Sequence, residues 1–232
     1  MKLTADLLSK LTKLSRINNS IVLTEGNVLG VKQTDAHVAD VILEEAIPAE
    51  AAIYDLPLFI KTLGLFNVDN TKLEFSDSRI IIKSKSQKAS YLLTEKRLID
   101  SCAPSASVQQ VASSGKLGEE LLSFELSGEL LAQITSNAKT LGLDHISFAM
   151  KQGVLTVTIC DKNNPGENSI ETVVAQADSP EFEYVFLTED FMKIPASIYN
   201  MTFYKDVASF TLISDNFNMF LCADAEFTTK VT

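Results

Sequence analysis

A chain of 232 residues, 46% apolar and 22% charged, with only 9 glycines and 6 prolines, has the composition of folded protein and excludes a disordered polymer. Its length suits one large domain or two of about 100–150 residues. No window approaches the ~18 apolar residues of a membrane span, and the start Met1-Lys2-Leu3-Thr4-Ala5-Asp6 lacks the apolar core of a signal peptide. The net charge of −10 is unevenly placed: residues 1–110 hold 13 basic and 13 acidic groups, residues 111–232 hold 7 and 17. That division serves solubility, and it also concentrates any contact with a polyanion on the first half.

In chain order, Thr4–Arg16 predicts an amphipathic helix. Leu3, Leu7, Leu8, Leu11 and Leu14 fall on one side, and Lys2, Lys10, Lys13 and Arg16 form an arc of nearly one sign on the other. Strands are expected at Ile21–Thr24, Val28–Lys32 and Val38–Leu43, with Glu25-Gly26-Asn27 as a turn. Asp55 then reads as an N-cap and Pro57 as a first-turn residue, followed by Leu56, Phe59, Ile60 and Leu63 at helical spacing. Leu58 and Leu65 lie opposite that face. A helix apolar on both sides is usually covered on both, here by a neighbouring subunit or by another part of its own domain. Strands at Lys72–Ser76, Arg79–Ser84 and Ala89–Thr94 follow, with Lys83, Lys85 and Lys88 read as the solvent face of a sheet.

Residues 99–118 change character. Small polar runs such as Ser101-Cys102-Ala103-Pro104-Ser105 make this a connector between a domain at 1–98 and another at 119–232. Leu98, Ile99, Val108 and Val111 are its candidates for flanking a partner pocket. The second half repeats the order of the first. A strand Leu121–Leu126 leads to a helix Gly128–Leu141 that ends at Gly142, then to a hairpin His145–Met150 and Val154–Cys160 around Lys151-Gln152-Gly153. A loop Asp161–Asn168 and a strand Ile170–Gln176 come next. After Tyr184–Leu187, Thr188 is expected to cap a short helix Phe191–Ile194, and strands return at Met201–Tyr204, Ala208–Ile213 and Met219–Ala223.

Catalytic signatures are missing: no GxSxG, Walker or GxGxxG pattern is present, and no CxxC or HExxH spacing. His37 and His145, the only histidines, are expected to be ordinary surface residues. Cys102, Cys160 and Cys222, odd in number and widely spaced, fit reduced thiols in a cytosolic chain. Glu44-Glu45 and Glu189-Asp190 read as a solvated loop and a helix start rather than a metal site. No enzyme activity, cofactor or metal is expected.

Two repeats of helix–strands–helix–strands joined by a long connector resemble the DNA sliding clamps, and within them the DNA polymerase processivity factors of T-even-like tailed phages. Met1-Lys2-Leu3, Ala52-Ile53-Tyr54-Asp55-Leu56, Phe59, Leu63, Leu65, Asn67 and Asp69 match that family in the first half; Lys139, Leu141, Asp144, Ile146, Met192 and Lys193 match it in the second. The resemblance covers the whole chain. It implies an α+β clamp fold, with helices on the inner face and antiparallel sheets outside. Three subunits would form a closed ring around duplex DNA.

The same resemblance implies a replicative polymerase, an ATP-driven clamp loader and late transcription proteins as partners, a place in viral DNA replication in the host cytoplasm, and no membrane. Lys2, Lys10, Lys13 and Arg16 would face DNA, helped by Lys61, Lys139 and Lys193, and Leu58 and Leu65 are subunit-interface candidates. One departure stands out. The family carries a second cation one turn before the position of Lys139, where this chain has Ser136, so a bore built from this chain would be less positive in its second half. The alternatives are a phage structural or scaffold protein with duplicated β-rich domains, which has no need of the basic arc, and an undetected hydrolase.

Overall fold

The computed structural model describes all residues except 35–36, 100–106, 115–116, 165, 167, 205–206, 213–215 and 229–232. Cys102 and most of the small polar connector, Asp35-Ala36 ahead of His37, part of the loop 161–168 and Ile213 at the end of an expected strand lie outside the described residues. The chain forms two compact units: Met1–Val108 with Asn216–Asn218, and Gln109–Asp215 with Met219–Thr232.

The first unit opens with α1 (Ala5–Leu14), started by Thr4, whose hydroxyl accepts the Leu7 N–H at 3.0 Å. Ahead of it, Met1–Leu3 form a short bridge along a later strand, with the Leu3 N–H on the Thr71 carbonyl at 3.0 Å and the Leu73 N–H on the Met1 carbonyl at 2.9 Å. Strands β1 (Ile21–Leu23), β2 (Gly26–Thr34), β3 (His37–Ile47) and β4 (Ala51–Ile53) follow; β2 pairs with β3 and β1 with β4, both antiparallel. Helix α2 (Leu56–Leu63) starts where expected, the Asp55 carboxylate accepting the Leu58 N–H at 2.8 Å. A sheet of β5 (Lys72–Ser76), β6 (Arg79–Lys83) and β7 (Lys88–Leu92) completes the unit. Its strands alternate: Leu73, Ile80 and Ile82 are buried, while Lys72, Glu74, Lys83 and Lys88 are exposed. Helix α1 packs on β3 and α2. Leu7, Leu11, Leu14, Leu56, Phe59 and Leu63 are buried there, each stabilising the unit by roughly 1.5–3 kcal/mol.

The connector contains more helix than its composition promises, a helix α3 (Val108–Ser113), and a 3-10 turn at Lys96–Leu98 leads into it. The second unit then runs β8 (Glu120–Leu126), α4 (Gly128–Leu141), β9 (His145–Lys151), β10 (Val154–Cys160), β11 (Ile170–Gln176), β12 (Phe182–Leu187), α5 (Thr188–Phe191), β13 (Tyr199–Tyr204), β14 (Val207–Leu212) and β15 (Phe217–Cys222), whose first two residues belong to the first unit. Strands β11-β10-β9-β12 lie side by side in one antiparallel sheet, and β8, β13, β14 and β15 are neighbours in another. Ser127 caps α4, accepting the Leu130 N–H at 3.1 Å, and Gly142 closes it in the left-handed conformation at φ +65°. The β9–β10 turn places both Gln152 (φ 51°) and Gly153 (φ 77°) in the left-handed region, the geometry that suits strand twist in a two-residue hairpin. An aromatic core surrounds Phe203, with Phe182, Tyr184 and Phe148 at ring-centroid distances of 5.0, 5.4 and 5.6 Å.

Three expectations need correction. Thr188 is not a cap: it is the first helical residue of α5, and its hydroxyl donates to the Leu143 carbonyl at 2.8 Å. Both histidines are buried rather than on the surface. Each opens a strand whose side chain turns into its unit, a position the flanking polar residues disguise. Lys10 is buried too, and its place in the basic arc is taken up next.

Candidate nucleic-acid interface

The cations singled out in the sequence sit on or beside helices. On α1, Arg16 is exposed just past the last turn and Lys13 is half-buried. Lys2 is exposed ahead of the helix, with its backbone N–H held by the Glu45 carboxylate at 3.1 Å. Lys10 does not belong with them. At about 100° per residue it lies only about 40° from Leu14 and about 60° from Leu7, so it shares the packed side. It is 3% exposed, its Nζ donates to the Ile42 carbonyl at 2.8 Å, and Asp6 pairs with it at 2.6 Å. Its charge is neutralised inside the unit, and this corrects its assignment to the DNA-facing set.

On α2, Lys61 is exposed in the last turn. The second unit supplies Lys139, exposed on α4 beside exposed Gln133, Ser136 and Thr140. Lys193, just after α5, is half-buried and pairs with Asp190 at 2.7 Å, so a carboxylate offsets its charge locally. Each unit thus places cations on or beside helices, exposed or half-buried ones at α1 and α2 in the first and exposed Lys139 on α4 in the second, and the first unit's set is the larger. Lys83, Lys85 and Lys88 are exposed on the β6–β7 hairpin.

Leu58 is 51% exposed and Leu65 73% exposed. Tyr54, 66% exposed, joins this apolar set, which sequence reasoning missed because it stopped at the helix. The only signal was the alternation that turns Tyr54 away from the core after buried Ile53. Of the connector candidates, Leu98 is exposed, Ile99 and Val108 are buried, and Val111 is half-buried. A cleft of about 520 Å³ in the first unit is lined by Glu50, Ala52, Asp77, Ser78, Thr94 and Arg97 among others, and ion pairs Lys96–Glu50 (2.6 Å) and Arg97–Glu95 (2.5 Å) engage most of its charged groups.

Several titratable groups of the second unit are tied up structurally. His145 Nδ1 accepts the Lys162 N–H at 3.2 Å, lies 3.6 Å from Asp161 and meets the Phe227 ring edge-on. The Ser147 hydroxyl donates to Glu183 at 2.7 Å, so it is engaged by a carboxylate. Burial pushes the Cys160 thiol up, away from the reactive thiolate. Among the described residues no group of three or more His, Cys, Asp or Glu side chains is placed to hold a metal ion.

No protein-family model matches the chain. The chain is 24% identical, over 194 residues, to the sliding clamp of Vibrio phage KVP40, a match that covers 82% of this chain and 84% of that one. Its structure is similar to the proliferating cellular nuclear antigen of Entamoeba histolytica, with a TM-score of 0.67 at 12% identity and 95% of each chain covered. It is similar also to the Helicobacter pylori beta clamp bound to a DNA ligase peptide, with a TM-score of 0.70 at 11% identity. That match covers 97% of this chain and 65% of the bacterial one, so the chain spans less than two thirds of that clamp's length. The fold is the sliding-clamp fold, and the resemblance to phage clamps read from the sequence is supported by the Vibrio phage relative.

Proposed function

We propose that the chain is a sliding clamp that serves as a DNA polymerase processivity factor, a homotrimeric ring that encircles duplex DNA and tethers a replicative polymerase without catalysing a reaction. The observation that carries this reading is the similarity to a phage sliding clamp over more than four fifths of both chains, in a molecule with the sliding-clamp fold. In this reading each subunit has two domains, at 1–98 and 119–232 with a connector at 99–118, and three subunits make a ring of six domains.

The charge division supports the same reading. A ring holds DNA by topology, and tight phosphate contacts would slow its sliding; a modest set of exposed cations on a chain of net charge −10 suits that task. The DNA-facing set in this proposal is Lys2, Lys13, Arg16, Lys61 and Lys139, with Lys193 contributing less because of Asp190. A clamp loader driven by ATP and late transcription proteins are the further partners, in the host cytoplasm.

Two measurements test the proposal. Light scattering should give three times 25.4 kDa, and the ring should stay on circular DNA until the circle is cut. Changing Lys13, Arg16 and Lys139 to Glu should abolish retention and processive synthesis with the trimer intact. The same change at Lys83, Lys85 and Lys88 should do neither. A monomer at tens of micromolar, or retention indifferent to cutting, removes the clamp reading and leaves a structural protein; damage from the hairpin set alone moves the DNA-facing surface elsewhere.

A further inference from the structure

Asp40, in the middle of β3 opposite Gly30, is the only fully buried acid among the described residues, at 1% exposure. Its two carboxylate oxygens serve two donors from distant parts of the chain. Oδ2 accepts the backbone N–H of Val108, the residue that opens α3 midway along the connector, and Oδ1 accepts the Asn218 side-chain amide at 3.0 Å. Val108 and Asn218 are themselves buried. The Ile42 N–H, two residues along β3, donates to the Asn216 carbonyl at 3.0 Å and lays the same segment alongside.

The chemistry of this arrangement is specific. The first N–H of a helix has no carbonyl within the helix to bond, so a buried Val108 N–H needs an outside acceptor. An ionised carboxylate is all acceptor and satisfies two donors at once, whereas an amide at the same place turns an NH2 toward one of them. Burial pushes the Asp40 carboxyl up from its ordinary range, more than the bonds from Asn218 and Val108 pull it down. The charged form is therefore held at a cost to stability. The facing residues, Gly30, Val108 and Asn218, carry no titratable side chain.

We propose that Asp40 is a positioning residue for the connector: its carboxylate is a clasp that fixes Val108 and Asn218 on β3, and so sets where α3 begins. The start of the connector is fixed differently, by Ile99 buried against Val22 and Ala52. The connector is thus held at its start by apolar packing and at the start of α3 by a single buried charge. The clasp stands on this geometry and not on the proposed function.

The test is amide hydrogen exchange on the full chain carrying Asp40→Asn. Because the change removes a buried charge, the melting temperature and the mass in solution should stay at the parent values. Exchange at Val108 should accelerate about ten-fold or more, the range expected for losing a bond to a charged group, while β5–β7 amides stay unchanged. Unchanged exchange at Val108 overturns the proposal, and so does equal acceleration throughout the first unit, which would make Asp40 an ordinary core residue. Asn218→Ala keeps the proposal testable if Asp40→Asn does not fold. It should speed exchange at residues 217–219 and spare β5–β7, and no change there overturns the clasp.

Discussion

Lys10 and Ile42 are joined by a bond from the ammonium to the backbone carbonyl, 2.8 Å long, that fastens the middle of α1 to β3. Asp6, one turn earlier, completes the charge at 2.6 Å. A buried ammonium survives only when paired and bonded, and both conditions are met here. Lys10→Glu sets a carboxylate against a carbonyl and a second carboxylate, and should destabilise the first unit by about 3–5 kcal/mol. Lys10→Met keeps the stem and loses the bond, at about 1–3 kcal/mol. Urea denaturation measures both. Folded Lys10→Met protein should keep parental retention on circular DNA; a loss there would return Lys10 to the DNA-facing set.

The misplacement of Lys10 shows where sequence reading stops. Periodicity located α1, α2 and α4 and most strands within a few residues, because each shows its buried face as a repeat of apolar side chains. Asp55, Ser127 and Gly142 end helices by local chemistry, and the Asp55 and Gly142 caps were legible for that reason. Lys10, by contrast, lies at the edge of the apolar arc, and whether such a residue points in or out depends on a carbonyl 32 residues away. The same holds for Asp40, whose partners lie 68 and 178 residues along the chain. Lys2 and Leu3 join the faces of the α1 wheel in the sequence because three residues carry no period of their own; the strand they lie against is 70 residues on. The exposed cations are legible as candidates, but the neutralisation of Lys193 is not, since Asp190 in the sequence shows only a helix start.

Glu183 gives the second unit an acid-sensitive element. Burial pushes its carboxyl up, but hydrogen bonds from Lys162 and Ser147 and the charges of Lys162 and Lys151 pull harder, and the net shift is down. A carboxyl held below its unfolded value, about 4.3 for Glu, stabilises the fold above that pH. The contribution fades as pH falls through the lower folded value. Melting temperature followed from pH 6 to pH 3 should fall more for the parent than for Glu183→Gln, the difference between the two closing at the acid end. Parallel curves would show that Glu183 carries no such linkage.

Phe203 is the hub of the aromatic core of the second unit, touching Phe182, Tyr184 and Phe148 and stacking on Phe124 at 6.2 Å. Phe203→Ala leaves a cavity walled by rings that cannot collapse into it, and should cost about 3–5 kcal/mol. Phe203→Leu fills most of the space and should cost about half as much or less. Chemical denaturation with a probe in the second unit reads both values, and equal costs would mean that volume at this position is not what the core requires.

Leu58, Leu65 and Tyr54 present apolar surface from α2 and its approach, on the side away from Phe59 and Leu63. Within one subunit this surface meets solvent, so Leu58→Asp and Leu65→Asp should each change the stability of the chain by no more than about 0.5 kcal/mol. In the proposed trimer the outcome differs, because a carboxylate placed in an apolar interface must be desolvated with no partner. The double variant should therefore fall from three copies to one at tens of micromolar, by light scattering, with an unchanged circular dichroism spectrum, and should lose retention on circular DNA. Leu92→Asp is the matched control, since Leu92 is 70% exposed on the outer face of β7. An intact trimer in the double variant would place the subunit interface away from α2, and a monomer in the control alone would move it to the β7 edge.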